Sequence, residues 1–375
     1  MFKRPNVLFN IILPIIFGIG LLYYYQRHIR AAADIGLGEG TSSYFPEINK
    51  VPIHISDPAF ADSVYKGWKE RGAMPLYLWQ GNSQLHGVNQ YKPGQVNCVE
   101  FLFNALKKNN EEVIGASYAN GNLQEFLVSL IYFSKKFPLR AVIQPVFYDD
   151  MREDGIRNEI NTPVVVRSVK PDSAYYNNLP NITILKVNDS ISGDASSDDF
   201  NGIHATAQER SERYLDSKLE NSWSIWKGRP DIRGNLFNDV YKLRNMVLGI
   251  KATTVRKMIP GRYNDNYNAL LNMVAFCIAH HIPLIIYIPP LRDDVAPPYD
   301  IKDYEAFKEK IKTDCEQHHV TFINLEHLVP SKYWGVKEGT SFGAATEIDF
   351  MHFQQAGHQL IADTIYHTLM KLSAQ

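Results

Sequence analysis

From residue 75 onward the chain alternates short, uninterrupted apolar runs with longer stretches whose apolar positions recur every three or four residues. The runs are 75–80, 112–117, 140–147, 283–288 and 320–325. Pro283-Leu284-Ile285-Ile286-Tyr287-Ile288 is typical. A run this short and apolar at every position predicts a strand covered on both faces, as in a parallel sheet. The helical patterns lie between and after the runs, at 95–109, 122–136, 264–281, 302–318 and 354–372. Strand alternating with helix predicts a doubly wound, mostly parallel α/β layer. His280-His281 and His318-His319 close two of these helical patterns, where an imidazole complements the negative end of the helix dipole.

Two segments break the rhythm. Lys3 and Arg4 precede an uncharged run from Val7 to Tyr25, and Arg27, His28 and Arg30 follow it. As a helix that run spans roughly 28 Å, about the hydrocarbon thickness of a bilayer. Tyr23, Tyr24 and Tyr25 would form an interfacial aromatic belt. The run is long for a cleaved signal peptide and its flank is a poor cleavage context, although Ala31-Ala32-Ala33 offers one. The expectation is therefore a retained anchor at 7–25, a cytoplasmic tip at 1–6, a linker at 26–70 and an extracytoplasmic domain at 71–375. The second break covers about 150–262. It holds short β-like runs at Pro163 to Val166 and Ile182 to Val187, and a polar tract from Asp189 to Asp199. It is expected to be an insertion over the carboxyl ends of the strands, where ligands bind in such sheets.

Composition narrows the function classes. The 39 lysines and arginines nearly cancel 40 aspartates and glutamates, which gives no support to nucleic-acid binding. Cys98, Cys277 and Cys315 are too far apart to suggest a disulfide framework or a zinc site. With 375 residues, 45% of them apolar, the chain can bury one large core.

The candidate chemistry sits at the two ends of the α/β pattern. The run Pro75-Leu76-Tyr77-Leu78-Trp79 leads into Gly81-Asn82-Ser83-Gln84-Leu85. That turn presents a hydroxyl at the carboxyl edge of a sheet. Asp349-Phe350-Met351-His352 stands directly before the last helical pattern, with Gly357 soon after. Serine is a weak nucleophile; it needs a base to take its proton and a carboxylate to hold that base in the correct tautomer. Ser83, His352 and Asp349 supply those three roles. His86, one turn beyond Ser83, is read as a helix-face residue, with a second base as the alternative. Asp149-Asp150 and Asp293-Asp294 follow strands at the functional edge; they are read as solvated loop carboxylates, with steering of substrate or pairing with Arg152 and Arg292 as the alternative.

With Gly81-Asn82-Ser83-Gln84 as first block and Asp349-x-x-His352 as last, the pattern resembles the SGNH/GDSL hydrolase superfamily over about 75–370. The resemblance is nearest to its membrane-anchored branch of teichoic-acid D-alanyl transfer and alginate-type polysaccharide O-acetylation proteins. It implies a three-layer, flavodoxin-like fold and an acyl-serine intermediate with Ser83, Asp349 and His352 as catalytic residues. It also implies an oxyanion hole from Ser83, Gly121 and an asparagine amide, Asn120 or Asn122, with Asn122 the choice carried forward. Asn82, Tyr148 and Asp149 would touch substrate, and no cofactor or metal is implied. Phe147-Tyr148-Asp149-Asp150 departs from the family's Gly-x-Asn-Asp, and Asn82 replaces its common aspartate. The implied substrate is an O-acyl group on a cell-surface polysaccharide or other acylated polymer, with a multi-spanning membrane O-acyltransferase as a possible partner. The rival expectation is a non-catalytic SGNH-like domain that binds glycan or docks on such an acyltransferase.

Overall fold

The computed structural model describes residues 16–20, 37, 40–153, 155–157, 160, 242–243, 245–249, 251, 253–339, 341 and 346–373. Its centre is a six-stranded sheet in which every neighbouring pair is parallel. A short strand, β1 (Thr41–Ser43), lies outside that sheet and pairs antiparallel with β4 (Gly87–Asn89). The central strands are β2 (His54–Ile55), β3 (Leu76–Gly81), β5 (Glu112–Ser117), β6 (Leu139–Pro145), β7 (Leu284–Ile288) and β8 (Thr321–Asn324). Their spatial order is β8-β7-β6-β3-β5-β2. An antiparallel pair, β9 (Trp334–Lys337) and β10 (Glu347–Phe353), stands apart near the C-terminus.

Seven helices are used below: α1 (Ala61–Glu70), α2 (Ser83–His86), α3 (Cys98–Leu106), α4 (Leu123–Lys136), α5 (Pro260–Ala279), α6 (Ile301–Gln317) and α7 (Gln355–Ser373). Local chemistry sets their starts. Asn97 accepts from the amides of Val99 and Glu100, Asp300 accepts from that of Asp303, and Pro260 opens α5. α5 and α6 end at the histidine pairs, with His281 and His319 in the left-handed region at φ 54° and 55°.

The alternation of side chains along β3 shows why the runs are so apolar. Leu76 and Leu78 enter one core with α1, α4, α5 and α6, while Tyr77 and Trp79 enter the other with α3 and α7. Both faces of the sheet are covered, so a charge on it has to be paired, as Glu112 of β5 is by Arg71. The five expected strands and five expected helices are present within a few residues of their predicted bounds. After β5 the chain crosses β3 to lay down β6 on its other side. The loop leaving β3 therefore sits at the switch point, where open α/β sheets form their crevice.

The linker expectation is corrected over residues 41–70. β2 pairs with β5 at the sheet edge, and Val64 and Trp68 of α1 are buried in the core. Short strands and one helix had been hidden by the polar residues between them. The insertion falls mostly outside the described residues. Of the run Val7 to Tyr25 only 16–20 are described, and they are helical. Among the described residues no helix is long and apolar enough to cross a membrane.

Candidate active site

β3 is buried along its whole length and stops at Gly81, where a side chain would press on Leu85 and Pro145 at 3.3 Å. Asn82 is extended and caps α2, its Oδ1 accepting from the Gln84 amide at 3.0 Å. That cap turns the chain sharply and puts Ser83 at the first helical position, 8% exposed. From the far end of the sequence, β10 brings His352 against it. Ser83 Oγ lies 2.9 Å from His352 Nε2, and His352 Nδ1 lies 3.1 Å from Asp349 Oδ2. With Nδ1–H donating to the carboxylate, Nε2 is the acceptor for the serine proton.

Asp349 is fully buried yet densely bonded. Its Oδ2 also accepts from Thr41 Oγ1 at 3.1 Å and Asn89 Nδ2 at 3.2 Å, and its Oδ1 from the amides of Met351 and His352. Burial opposes ionisation. The His352 charge and hydrogen bond, with Lys337 and the Met351 amide, outweigh it and hold the carboxyl well below its usual range. The acid is thus ionised and fixed in one orientation. Gln84 Nε2 donates to the carbonyls of Pro290 and Met351, tying the serine turn to the histidine strand. Arg292 grips Asp294 through two nitrogens and donates to the Asp349 carbonyl at 3.3 Å, which fixes the strand from below. The loop carrying Arg292 borders a cleft of about 450 Å³, with Leu291, Asp293, Val295 and Pro297 among its walls.

Behind the serine, Ser117 Oγ lies 2.6 Å from both His86 Nδ1 and His54 Nε2. Burial holds His86 well below the usual imidazole range and pushes His54 down to about 3. Of these histidines, His86 is bonded to Ser117 and His352 to Ser83. Gly87, next in the chain, leaves room for the His352 ring: an added Cβ would stand 2.8 Å from its Cδ2.

Four of the expected site residues are engaged by other groups of the protein. The Gly121 amide closes a turn onto the Tyr118 carbonyl at 2.9 Å. The Asn122 side chain caps α4 with Glu125 in a reciprocal capping box, and its Nδ2 donates to the Gly155 carbonyl at 2.8 Å. The Gly121 amide and one N–H of Asn122 Nδ2 are thus engaged within the protein. At the start of α2 the Gln84 and Leu85 amides bond the side chain and the carbonyl of Asn82, and the Ser83 amide, one position earlier, has no intrahelical acceptor. Tyr148 is buried among Tyr299, Tyr304 and Phe307 and belongs to the core. Asp149 binds Arg256 and the Tyr299 hydroxyl and pairs with Arg152 at 3.6 Å. Asn82 is in the site, as the cap and as a donor to Asp150 Oδ1 at 3.0 Å. Thr41 and Asn89 were not foreseen, since neither carries a local signal of catalysis.

No protein-family model matches the chain, and no curated protein matches it significantly. Among solved structures, a protein assigned as an acylhydrolase from Bacteroides fragilis NCTC 9343 aligns with 81% of this chain and 94% of its own. Its TM-score is 0.36 and its identity 11%. LAE5, an alpha/beta hydrolase enzyme from the metagenome of Lake Arreo, Spain, gives 0.32 at 10% identity, over 78% of this chain and 93% of its own. A protein assigned as a GDSL-like lipase from Parabacteroides merdae ATCC 43184 gives 0.31 at 10%, over 77% and 92%. These scores are too low to bear on activity.

Proposed function

We propose that the chain is a serine acyl-transfer enzyme of SGNH/GDSL type. One observation carries this reading: Ser83, His352 and Asp349, drawn from opposite ends of the sequence, stand in hydrogen-bonded series at the switch point of a parallel sheet. In the reaction, His352 takes the Ser83 proton as Oγ attacks an ester carbonyl. The Ser83 amide faces the developing oxyanion, and His352 returns the proton to the departing alcohol. A second hydroxyl then attacks the acyl-serine; His352 takes its proton and passes it to Ser83 Oγ as the new ester leaves, restoring neutral His352 and the serine hydroxyl.

The proposed setting is extracytoplasmic, behind the anchor read from Val7 to Tyr25, and the proposed substrate is an O-acyl group bound for a surface polysaccharide. An anchor holds the domain near a membrane donor and raises its effective concentration. The cleft beside Arg292 offers room for the polymer acceptor. The reading is tested by labelling with a serine-reactive fluorophosphonate. Labelling should occur in the wild type and vanish in Ser83→Ala; equal labelling of both would reject the nucleophile. Loss of the gene should lower acyl substitution of a surface polymer; a rise would favour hydrolysis over transfer.

A second reading is favoured by the engagement of Gly121 and Asn122. A lost oxyanion donor costs about 3–4 kcal/mol, which suits a slow enzyme or a non-catalytic domain that docks on a membrane O-acyltransferase. Absence of any labelling in folded wild-type protein would select that reading.

A further inference from the structure

Asp150 is buried at 2% exposure in the turn that follows β6. Its Oδ1 accepts from Asn82 Nδ2, while its Oδ2 is buried with no hydrogen-bond partner among the described residues. Among the described residues no cation bonds it. Arg152 and Arg256 are engaged by Asp149, and Arg157 by Glu125. Arg262, from α5, donates to the Arg152 carbonyl. The remaining charged neighbours are carboxylates: Asp149 and Glu153 from its own segment and Glu125 from α4. An ionised carboxylate would here leave a charged oxygen unpaired in the interior beside three further acids, a costly arrangement.

We propose that Asp150 works as a neutral carboxylic acid, and that in this form it is a positioning residue holding the Asn82 amide so that Ser83 faces His352. The link is short. The Asn82 amide joins Asp150 on one side and the Gln84 N–H on the other, with Ser83 between the two linked positions. Burial, then the neighbouring acids, also push the Asp150 carboxyl well above its usual range, against the Asn82 hydrogen bond. Ionisation at alkaline pH would draw water to Oδ2 and loosen the turn. Wild-type activity therefore has an alkaline limb that does not belong to His352.

The inference rests on the acyl-transfer reading, and its test compares Asp150→Asn with Asp150→Ala. Asparagine has the shape of the neutral acid and keeps an acceptor for Asn82. Asp150→Asn should retain kcat on a small acetyl ester within about threefold of wild type and lose the alkaline limb. Asp150→Ala should lose about 10- to 100-fold in kcat with KM little changed, the scale expected of a displaced nucleophile. A folded Asp150→Asn as inactive as Asp150→Ala would overturn the proposal, as would an alkaline limb unchanged in Asp150→Asn. An infrared carboxylic-acid band present at neutral pH in wild type and absent in Asp150→Asn would support the neutral form without any turnover. Its absence in wild type would overturn it, so failure here is distinguishable from failure of the triad.

Discussion

Gly87→Ala offers a test of the triad that touches no reacting group. Gly87 has φ −85° and ψ 116°, a conformation any residue adopts, so backbone strain is not at issue. The constraint is space. The added Cβ would stand 2.8 Å from His352 Cδ2, 2.8 Å from the Ser83 carbonyl oxygen and 3.3 Å from His352 Nε2. Optimal carbon–carbon contact is about 3.5–4.0 Å, so the ring must retreat by somewhat under 1 Å or the serine turn must open. The turn is held by the Gly87 amide donating to that same Ser83 carbonyl, and the ring by Asp349. Either movement stretches the 2.9 Å contact between Nε2 and Oγ. Misplacement on this scale costs about 10²-fold in rate, or roughly 2.7 kcal/mol of barrier. Overpacking should cost about 1–3 kcal/mol of stability as well. The assay is kcat and KM on a small acetyl ester, with the labelling rate of Ser83 and the melting temperature measured alongside. Gly261→Ala, whose Cβ meets nothing within 4 Å, is the control. A folded Gly87→Ala enzyme within threefold of wild-type kcat would refute the placement of His352 on Ser83.

The triad members should behave as a unit. Ser83→Ala and His352→Ala are each expected to lower kcat by about 10⁴- to 10⁶-fold, and the double variant no further. Asp349→Asn should lose up to about 10⁴-fold through the wrong tautomer; additive losses in the double variant, read from kcat, would argue against a single machine. Acid should destabilise the fold through His54 and His358, which burial pushes down to about 3. The unfolded chain takes up protons first as pH falls below about 6.5, so stability is complete above that value and drains toward pH 3. At pH 5 each histidine should have cost about 2 kcal/mol; an unchanged urea midpoint between pH 7 and 5 would contradict this. Val295→Trp, which fills the cleft beside Arg292, should leave hydrolysis of a small ester and labelling intact while transfer to a sugar hydroxyl falls about tenfold or more. Equal transfer by both proteins would place the acceptor elsewhere.

The elements with the strongest periodicity were the ones legible in the sequence. β7 is Leu284-Ile285-Ile286-Tyr287-Ile288, and nothing but a doubly covered strand suits such a run. Ser83 and His352 were legible because their chemistry needs neighbours of fixed type at short spacing. β2 and α1 were not, because a two-residue strand leaves no period to detect and polar residues flank it. Thr41 and Asn89 escaped for a different reason. Their part in the site exists only through contacts to Asp349, which lies hundreds of residues away. The bonds of Asn122 within the protein were not read because an asparagine before a helix has two employments, and Glu125 three residues later completes a cap. The same spacing was visible in the sequence, and it marked a helix start instead of a donor.

The bond from Thr41 to Asp349, together with the contact from Ser83 to His352, has a consequence for the order of events during synthesis. Chains emerge N-terminus first and fold as they appear. β3 and its serine turn are therefore made while β10 has yet to be translated, so nascent Ser83 has no base and Thr41 no carboxylate. The nucleophile is inert until the last strand and α7 are added. An interrupted chain carries the serine without its reactivity.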